Sequence, residues 1–302
     1  MAILPTADRL RYLPPPPEIG SNDYWKRAFD SLEKPSKELA RWTSPIDHNS
    51  MHIDLINNAL PDTGLWLRKY SEFHRWAHCN FSSVLVLHGI PGCGKTMLTS
   101  VLIEQHLIEQ RVSIDTPPFA YFYCGRSETG RGGNQAAEVL QSIVQQIAIS
   151  THSESTRLDV LMFEYEAKKS QICGHNDIPS LTSKDCERII LAIAAKETVT
   201  IIIDAIDEIE ITARQDLQDS LMRIYTAQNH RVKIFLSMQD DAQMLLPPPL
   251  ANDYSVKMTD NDTRHDVARF TELSLSRISL PTMTLQLKSE LVDILVEEAK
   301  GM

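Results

Sequence analysis

Residues 89–96 read Gly-Ile-Pro-Gly-Cys-Gly-Lys-Thr, a match to the pattern GxxxxGK[ST]. A loop that wraps a polyphosphate must turn its backbone N–H groups inward, through conformations that glycine tolerates and other residues resist. Gly89, Gly92 and Gly94 supply that freedom, in a chain holding only 11 glycines. Lys95 would set a point charge against the β- and γ-phosphates, and Thr96 would offer a hydroxyl to Mg²⁺. Ile90, Pro91, Cys93 and Met97 complete the turn and are grouped with it as binding positions, Cys93 as a small filler rather than a redox handle. A second chemical element is TIIIDAIDEIE at 200–210. Asp204 leaves an apolar strand at its carboxyl end, where open sheets place their ligand sites, and is the candidate magnesium ligand. Asp207 and Glu208 follow within a turn and are the candidates for orienting an attacking water. A third lies in VKIFLSMQDD at 232–241, where Ser237 and Gln239 stand where a γ-phosphate could be sensed. Gln239 carries no charge and would stabilise developing phosphate charge less than arginine would. No NKxD-type guanine motif is present, so ATP or ADP is favoured, with GTP still open.

These residues need strands and helices to hold them. Apolar runs of strand length fall at 82–90, 119–124, 199–204 and 232–237, with a weaker one at 254–258. Near-continuous apolar runs are what strands covered on both faces look like. Between them, Met97, Leu98, Val101, Leu102 and Leu107 recur at helical steps, as do Val139, Leu140, Ile143, Val144 and Ile147, and then Leu217, Leu221, Met222 and Tyr225. Alternation of strand and helix predicts an α/β fold with a mostly parallel central sheet flanked by helices. Before it, residues 1–44 hold the run Pro14–Pro17 and a short helical face of Tyr24, Ala28, Phe29 and Leu32, and read as a tethered tail. After Pro247–Pro249 come two more helical stretches, the last stopping at Gly301-Met302. Truncation and a glycine stop explain that ending equally well.

Composition bounds the function. The 302 residues hold 30 Lys+Arg and 40 Asp+Glu, a formal charge of −10, which argues against coating nucleic acid. With 42% hydrophobic and 23% charged residues the chain suits a soluble globular protein. No apolar run reaches the ~18 residues of a membrane span, and the start lacks a signal-peptide layout. The 5 cysteines form no CxxC, so neither a zinc site nor a disulfide framework is expected, and a reduced, cytoplasmic chain is.

The blocks GIPGCGKTML, YFYCGRSE, EVLQSIVQQIA, IIIDAIDEI and KIFLSMQDD, in that order, resemble the NACHT domain of STAND-class signalling NTPases. The segment PDTGLWLRKYSEFHRWAHCNFSSVLVLHGIPGCGKT at 61–96 is similar to the nephrocystin-like N-terminal variety found in fungal incompatibility receptors. The resemblance covers roughly 46–275. It implies an ASCE-type P-loop NTPase in which the strand of Asp204 is not the neighbour that the simplest winding would give. It implies Asp204 positioning Mg²⁺, Asp207 addressing the water and Glu208 supporting. It also implies a switch, closed with ADP and assembling with protein partners or with itself when ATP is bound. The corresponding division is a tail at 1–44, the NTPase domain at 45–275 and the start of a helical arm at 276–302. The chain departs from the family where Ser237-Met238-Gln239 replaces a sensor arginine. Two other readings stand beside the switch: an interaction module that keeps nucleotide for stability without turnover, and, more weakly, a metabolic kinase. Arg126 is read as an exposed strand-end residue, the tract 128–134 as a plain loop and the histidines as structural or surface groups. Trp25, Trp42, Trp66 and Trp76 are read as packing anchors, Trp66 alone being weighed as a neighbour of the base.

Overall fold

The computed structural model describes residues 34–60, 63–112, 116–125, 136–149, 155–171, 177–243, 245–251, 253–277 and 285–299. The polyproline run, the helical face at 24–32, Arg126 and the tract 128–134 lie outside the described residues.

Helix α1 (Lys34–Thr43) and α2 (Asn49–Asn58) precede a 3-10 turn (Leu65–Lys69), α3 (Ser71–His78) and strand β1 (Ser83–Gly89). Then come α4 (Lys95–Val112), β2 (Phe119–Tyr123), α5 (Ala136–Ala148), α6 (Ser155–Ser170), α7 (Ser183–Ala194) and β3 (Val199–Asp204). A 3-10 turn (Ile206–Glu208), α8 (Ile211–Thr226) and β4 (Val232–Gln239) follow. The described chain closes with the short α9 (Asp240–Gln243) and α10 (Pro248–Ala251), β5 (Tyr254–Lys257), α11 (Asp260–Arg277) and α12 (Leu285–Ala299). All strand pairs are parallel and the order is β2-β3-β4-β1-β5. Strand β4 therefore separates β3 from β1, the winding that the resemblance implied.

The period-2 alternation of a strand sends neighbouring side chains to opposite faces, and both faces are covered. Val84, Val86, Phe122, Ile201, Ile203, Ile234 and Leu236 join one core with the buried sides of α5, α7 and α8. Leu85, Leu87, Tyr121, Ile202 and Phe235 join a second with α4, Trp66, Phe73 and Trp76. The indole N–H of Trp76 donates to Ile234 C=O at 3.1 Å, so this anchor is also satisfied as a donor. Helix α1, within the stretch expected to be a tail, is part of the packed body. Leu39 is 2% exposed, Trp42 donates to Pro179 C=O at 3.0 Å, and the Gln145 amide caps Ala40 and Ser44 carbonyls at 2.7 and 2.9 Å.

Helices α6 and α7 went unread in the sequence because their apolar positions are interleaved with charge. Helix α7 is fixed by a capping box in which the Thr182 hydroxyl accepts from Asp185 N–H and the Asp185 carboxylate accepts from Thr182 N–H. Burial pushes the Asp185 carboxyl up, but the Lys168 ammonium at 2.8 Å and both Thr182 donors outweigh it and hold the group at about 2. A depressed carboxylate contributes stability that is full above its ordinary 3.8 and lost as pH falls through about 2. Thr182→Ala is expected to cost about 1 kcal/mol at neutral pH, read as an earlier urea midpoint with an unchanged slope. A midpoint equal to wild type would show the cap to be redundant.

Candidate functional site

The glycine loop joins β1 to α4 at the carboxyl edge of the sheet. Gly92 and Gly94 have φ of 79° and 95°, left-handed conformations that a side chain would strain. Gly89 serves differently from the expectation: a Cβ there would meet Cys93 Sγ at 3.0 Å and Met258 Cβ and O at 3.2 Å, so its need is close approach. Lys95 folds over the loop, its ammonium donating to Gly89 and Ile90 carbonyls at 2.9 Å each.

Asp204 ends β3 and is 1% exposed. Its carboxylate accepts from the Ser237 hydroxyl, and the same Ser237 Oγ accepts from Ala205 N–H at 2.8 Å. Burial raises the Asp204 carboxyl; hydrogen bonds from Ser237, Thr96 and Thr99 and the charge of Lys95 oppose that without cancelling it. Ala205 then takes a left-handed conformation, φ 53° and ψ 46°, which turns the chain into the 3-10 turn carrying Asp207 and Glu208. Arg214 holds that turn by donating to Asp207 C=O at 3.1 Å.

One cavity of about 270 Å³ gathers Pro91, Gly92, Gly94, Lys95 and Thr96 from the loop, Asp207 and Glu208 from the turn after β3, and Ser237 and Gln239 from the end of β4. Asp204 lies buried beneath it. Ile90 is exposed, and Cys93 and Met97 are on the opposite side of the loop, where they line a second cavity of about 430 Å³. That cavity is mostly apolar, walled by Trp66, Leu98, Val101, Met258, Val267 and Phe270. Of its lining, Trp66 and the loop were weighed in the sequence as ligand neighbours, and Leu98 and Val101 only as part of a helical stripe. The contribution of α11 could be read only as the pair Val267 and Phe270 one helical step apart.

Among the described residues no group of three or more His, Cys, Asp or Glu could hold a metal by itself. Magnesium in phosphate sites uses one or two carboxylates together with substrate oxygens and water, so the pairing of a buried carboxylate with the Thr96 hydroxyl fits that ion. Beside the loop, His88 Nδ1 lies 2.6 Å from Asp240 Oδ1, and Lys257 bonds Asp240 Oδ2 at 3.1 Å, tying together the ends of β1, β4 and β5.

A parallel sheet in this order, with a glycine loop and lysine after β1 and a buried aspartate after β3, is the fold of a P-loop NTPase. The family described as Nephrocystin 3, N-terminal, matches residues 62–238, more than half of the chain, and the chain belongs to that family. Comparison with curated proteins gives no match. Similar solved structures include a DNA replication initiation factor (14% identity, TM-score 0.43, covering 81% of this chain and 59% of that one). AMPPCP-bound DnaA from Aquifex aeolicus is similar at 13% identity and TM-score 0.41, over 82% of this chain and 60% of that one. The Aeropyrum pernix ORC1 protein in complex with DNA is similar at 15% identity and TM-score 0.41, over 82% and 64%. The chain thus spans 59% to 64% of the length of these structures.

The raised Asp204 carboxyl gives a signed prediction. A group whose folded pKa lies above its unfolded value adds stability at low pH and loses it as pH rises through the folded value. Asp204→Asn removes that dependence, so its melting temperature relative to wild type should rise as pH is raised from the ordinary 3.8 of an aspartate, in protein free of nucleotide and divalent ions. A constant difference as pH is raised would mean that the carboxylate is not destabilised by burial.

Proposed function

We propose that the chain is a Mg²⁺-dependent nucleotide switch of the NACHT type, binding ATP or ADP and hydrolysing slowly. The observation that carries this is the cavity lined together by Gly92, Gly94, Lys95, Thr96, Asp207, Ser237 and Gln239, with the buried Asp204 bonded to Ser237. Loop N–H groups and Lys95 bind phosphate oxygens, and the amino end of α4 directs its dipole at them. Thr96 and Asp204 would hold Mg²⁺, which when bound neutralises charge on the β- and γ-oxygens. Asp207 orients the attacking water, with Glu208 supporting. Ser237 fixes the Asp204 carboxylate that would hold the ion, and Gln239 would offer the γ-phosphate an uncharged amide. An amide stabilises the developing charge less than a guanidinium does, which makes turnover slow. Lys95 must leave the Gly89 and Ile90 carbonyls to meet a phosphate, an exchange of one set of charge-assisted bonds for another.

By resemblance to NACHT proteins, nucleotide state controls association with protein partners or other copies of this chain, in cytoplasmic signalling of the innate-immunity or incompatibility type. The proposed division keeps an NTPase domain at about 45–275, with α1 packed against it, and assigns 276–302 to an arm. A second reading, a nucleotide-stabilised interaction module without hydrolysis, is favoured by one feature, the uncharged Gln239.

Tight nucleotide stabilises the fold by mass action, ~4 kcal/mol at a thousandfold excess over Kd. Denatured protein is expected to release about one ADP per chain on ion-exchange chromatography, and added ADP·Mg²⁺ to raise the melting temperature. Lys95→Ala should release none and gain nothing from added nucleotide; equal shifts in both proteins would overturn the phosphate site. Asp207→Asn should bind as wild type does and lose phosphate release. Wild-type protein that binds ATP·Mg²⁺ and releases no phosphate would select the module reading.

A further inference from the structure

Residues 34–58 lie outside the family match at 62–238, and they wrap the sheet from one face to the other. Leu39 belongs to the core on the α5 and α7 face, where Trp42 and Ile46 also pack, whereas Leu55 packs against the core on the α4 face. The connection from α1 to α2 therefore passes around an edge of the sheet. That edge is β2, which ends the strand order, and α2 meets it directly. Tyr121 O–H donates to Asn49 Oδ1 at 2.8 Å, and the His48 ring stands edge to face with Tyr121 at 5.6 Å. The two ends of this strap are fastened differently. Helix α1 buries Leu39 and Ala40, but α2 has one buried residue and it is a histidine. His52, 3% exposed, sets Nδ1 2.8 Å from Tyr123 Oη and Nε2 3.0 Å from Glu104 Oε2, and Arg111 donates to the other Glu104 oxygen at 3.3 Å. One turn earlier, His48 encloses its Nδ1 with no hydrogen-bond partner.

We propose that α2 is a releasable strap over β2, and that a proton taken up at His48 is what releases it. In the neutral ring Nδ1 can be the nitrogen without a proton, whereas the imidazolium carries an N–H at both. The added N–H is enclosed with no acceptor and the added charge is held away from water; both costs vanish when α2 lifts. The titratable groups that face the two histidines are Asp47 before α2, Glu104 and Arg111 on α4, and Tyr121 and Tyr123 on β2. Burial pushes His48 down from 6.5 to about 4; the Asp47 carboxylate opposes that and His52 adds to it. A base held below its ordinary value stabilises the docked state fully above 6.5, and that stability is lost as pH falls toward 4. His52 is not the trigger, because both of its ring nitrogens already have partners. The backbone of β2 stays covered when the strap leaves. The Gln146 side chain accepts from Tyr121 N–H at 3.0 Å and donates to Tyr121 C=O at 2.8 Å. Release thus uncovers the Tyr121 and Tyr123 side chains without freeing that backbone pair for another strand.

The test is hydrogen exchange of the full chain, read by mass spectrometry at about pH 7.5 and about pH 5.5 and corrected for the intrinsic exchange rate at each. A histidine moved from 6.5 to about 4 by docking raises the opening of α2 about tenfold between those two conditions. Peptides covering 49–58 should therefore lose about tenfold in protection, while peptides covering β1, β3 and β4 keep theirs. His48→Phe keeps a ring and His48→Gln does not, but neither takes up a proton. Both should protect 49–58 equally at the two pH values. Wild-type protection of 49–58 that does not change with pH would overturn the proposal without any variant. So would a loss shared equally by the strands, or a loss as large in a folded His48 variant as in wild type.

Discussion

A carboxyl group with 1% exposure at the end of a buried strand is the constraint around which the site is arranged. Water cannot solvate it, so any charge it carries must be met by donors that the fold itself delivers. The chief donor is Ser237, and Ser237 reaches Asp204 only because β4 is the neighbour of β3. The same strand is the neighbour of β1, so the glycine loop leaves the sheet on the other side of Ser237. A simpler winding that paired β1 directly with β3 would leave no place for this hydroxyl. The left-handed Ala205 follows from the same knot. Such a conformation costs an alanine roughly 1–2 kcal/mol. It persists because Ser237 takes Ala205 N–H on one side and Cys124 N–H holds Asp204 C=O on the other, at 2.9 Å. What the strain gives is direction: it turns Asp207 back toward the cavity above its own strand.

The glycine loop is a wall shared by two cavities, and it is gripped from the β5 side as firmly as from the β4 side. Met258 N–H donates to His88 C=O at 2.8 Å, and its Cβ and carbonyl oxygen would stand 3.2 Å from a Cβ at Gly89. One residue away on each strand, His88 and Lys257 meet across Asp240, which itself follows Gln239. Burial pushes the Asp240 carboxyl up, yet His88 and Lys257 outweigh it and hold the group below its ordinary range. Gly89, Met258 and Gln239 are therefore each one residue from a member of a single ion-paired cluster. Neither cavity can widen at the loop without disturbing the other.

Much of this was legible in the chain, and the reasons differ by element. The first four strands could be read because each is covered on both faces and so is largely apolar, whereas the edge strand β5, Tyr-Ser-Val-Lys with only Val256 buried, gave a weaker signal; β4 runs two residues further than its apolar core only because Met238 and Gln239 continue the ladder to β1. The loop could be read because it needs glycine at fixed places, although only Gly92 and Gly94 need it for φ, and Gly89 for room. Helix α1 was taken for tail because a short segment beside a proline run does not reveal what its buried face packs against; what holds it is Gln145 and Pro179, more than a hundred residues away. The apolar cavity was illegible for the same reason. Its walls come from before β1, from α4 and from after β5, and sequence spacing says nothing about contacts made by tertiary packing alone.

The two carboxylates of α11 that face the segment before β1 carry the architecture one step further. Asp262 takes Tyr70 O–H and Asp266 takes Gly64 N–H, so the first turns of α11 are bonded to residues that lie far before the glycine loop. Gly64 has a φ of 72°, which a side chain would strain, and a Cβ there would meet Leu98 Cδ1 at 2.7 Å, so that the leucine would have to shift. Two directed bonds thus tie helix α11 to the segment before β1, while Phe270 and Leu273 on it remain 57% and 38% exposed. Helix α12 packs upon α11, so what places α11 also places α12, and the tie runs back through Gly64 to Leu98 on the helix that starts at the glycine loop.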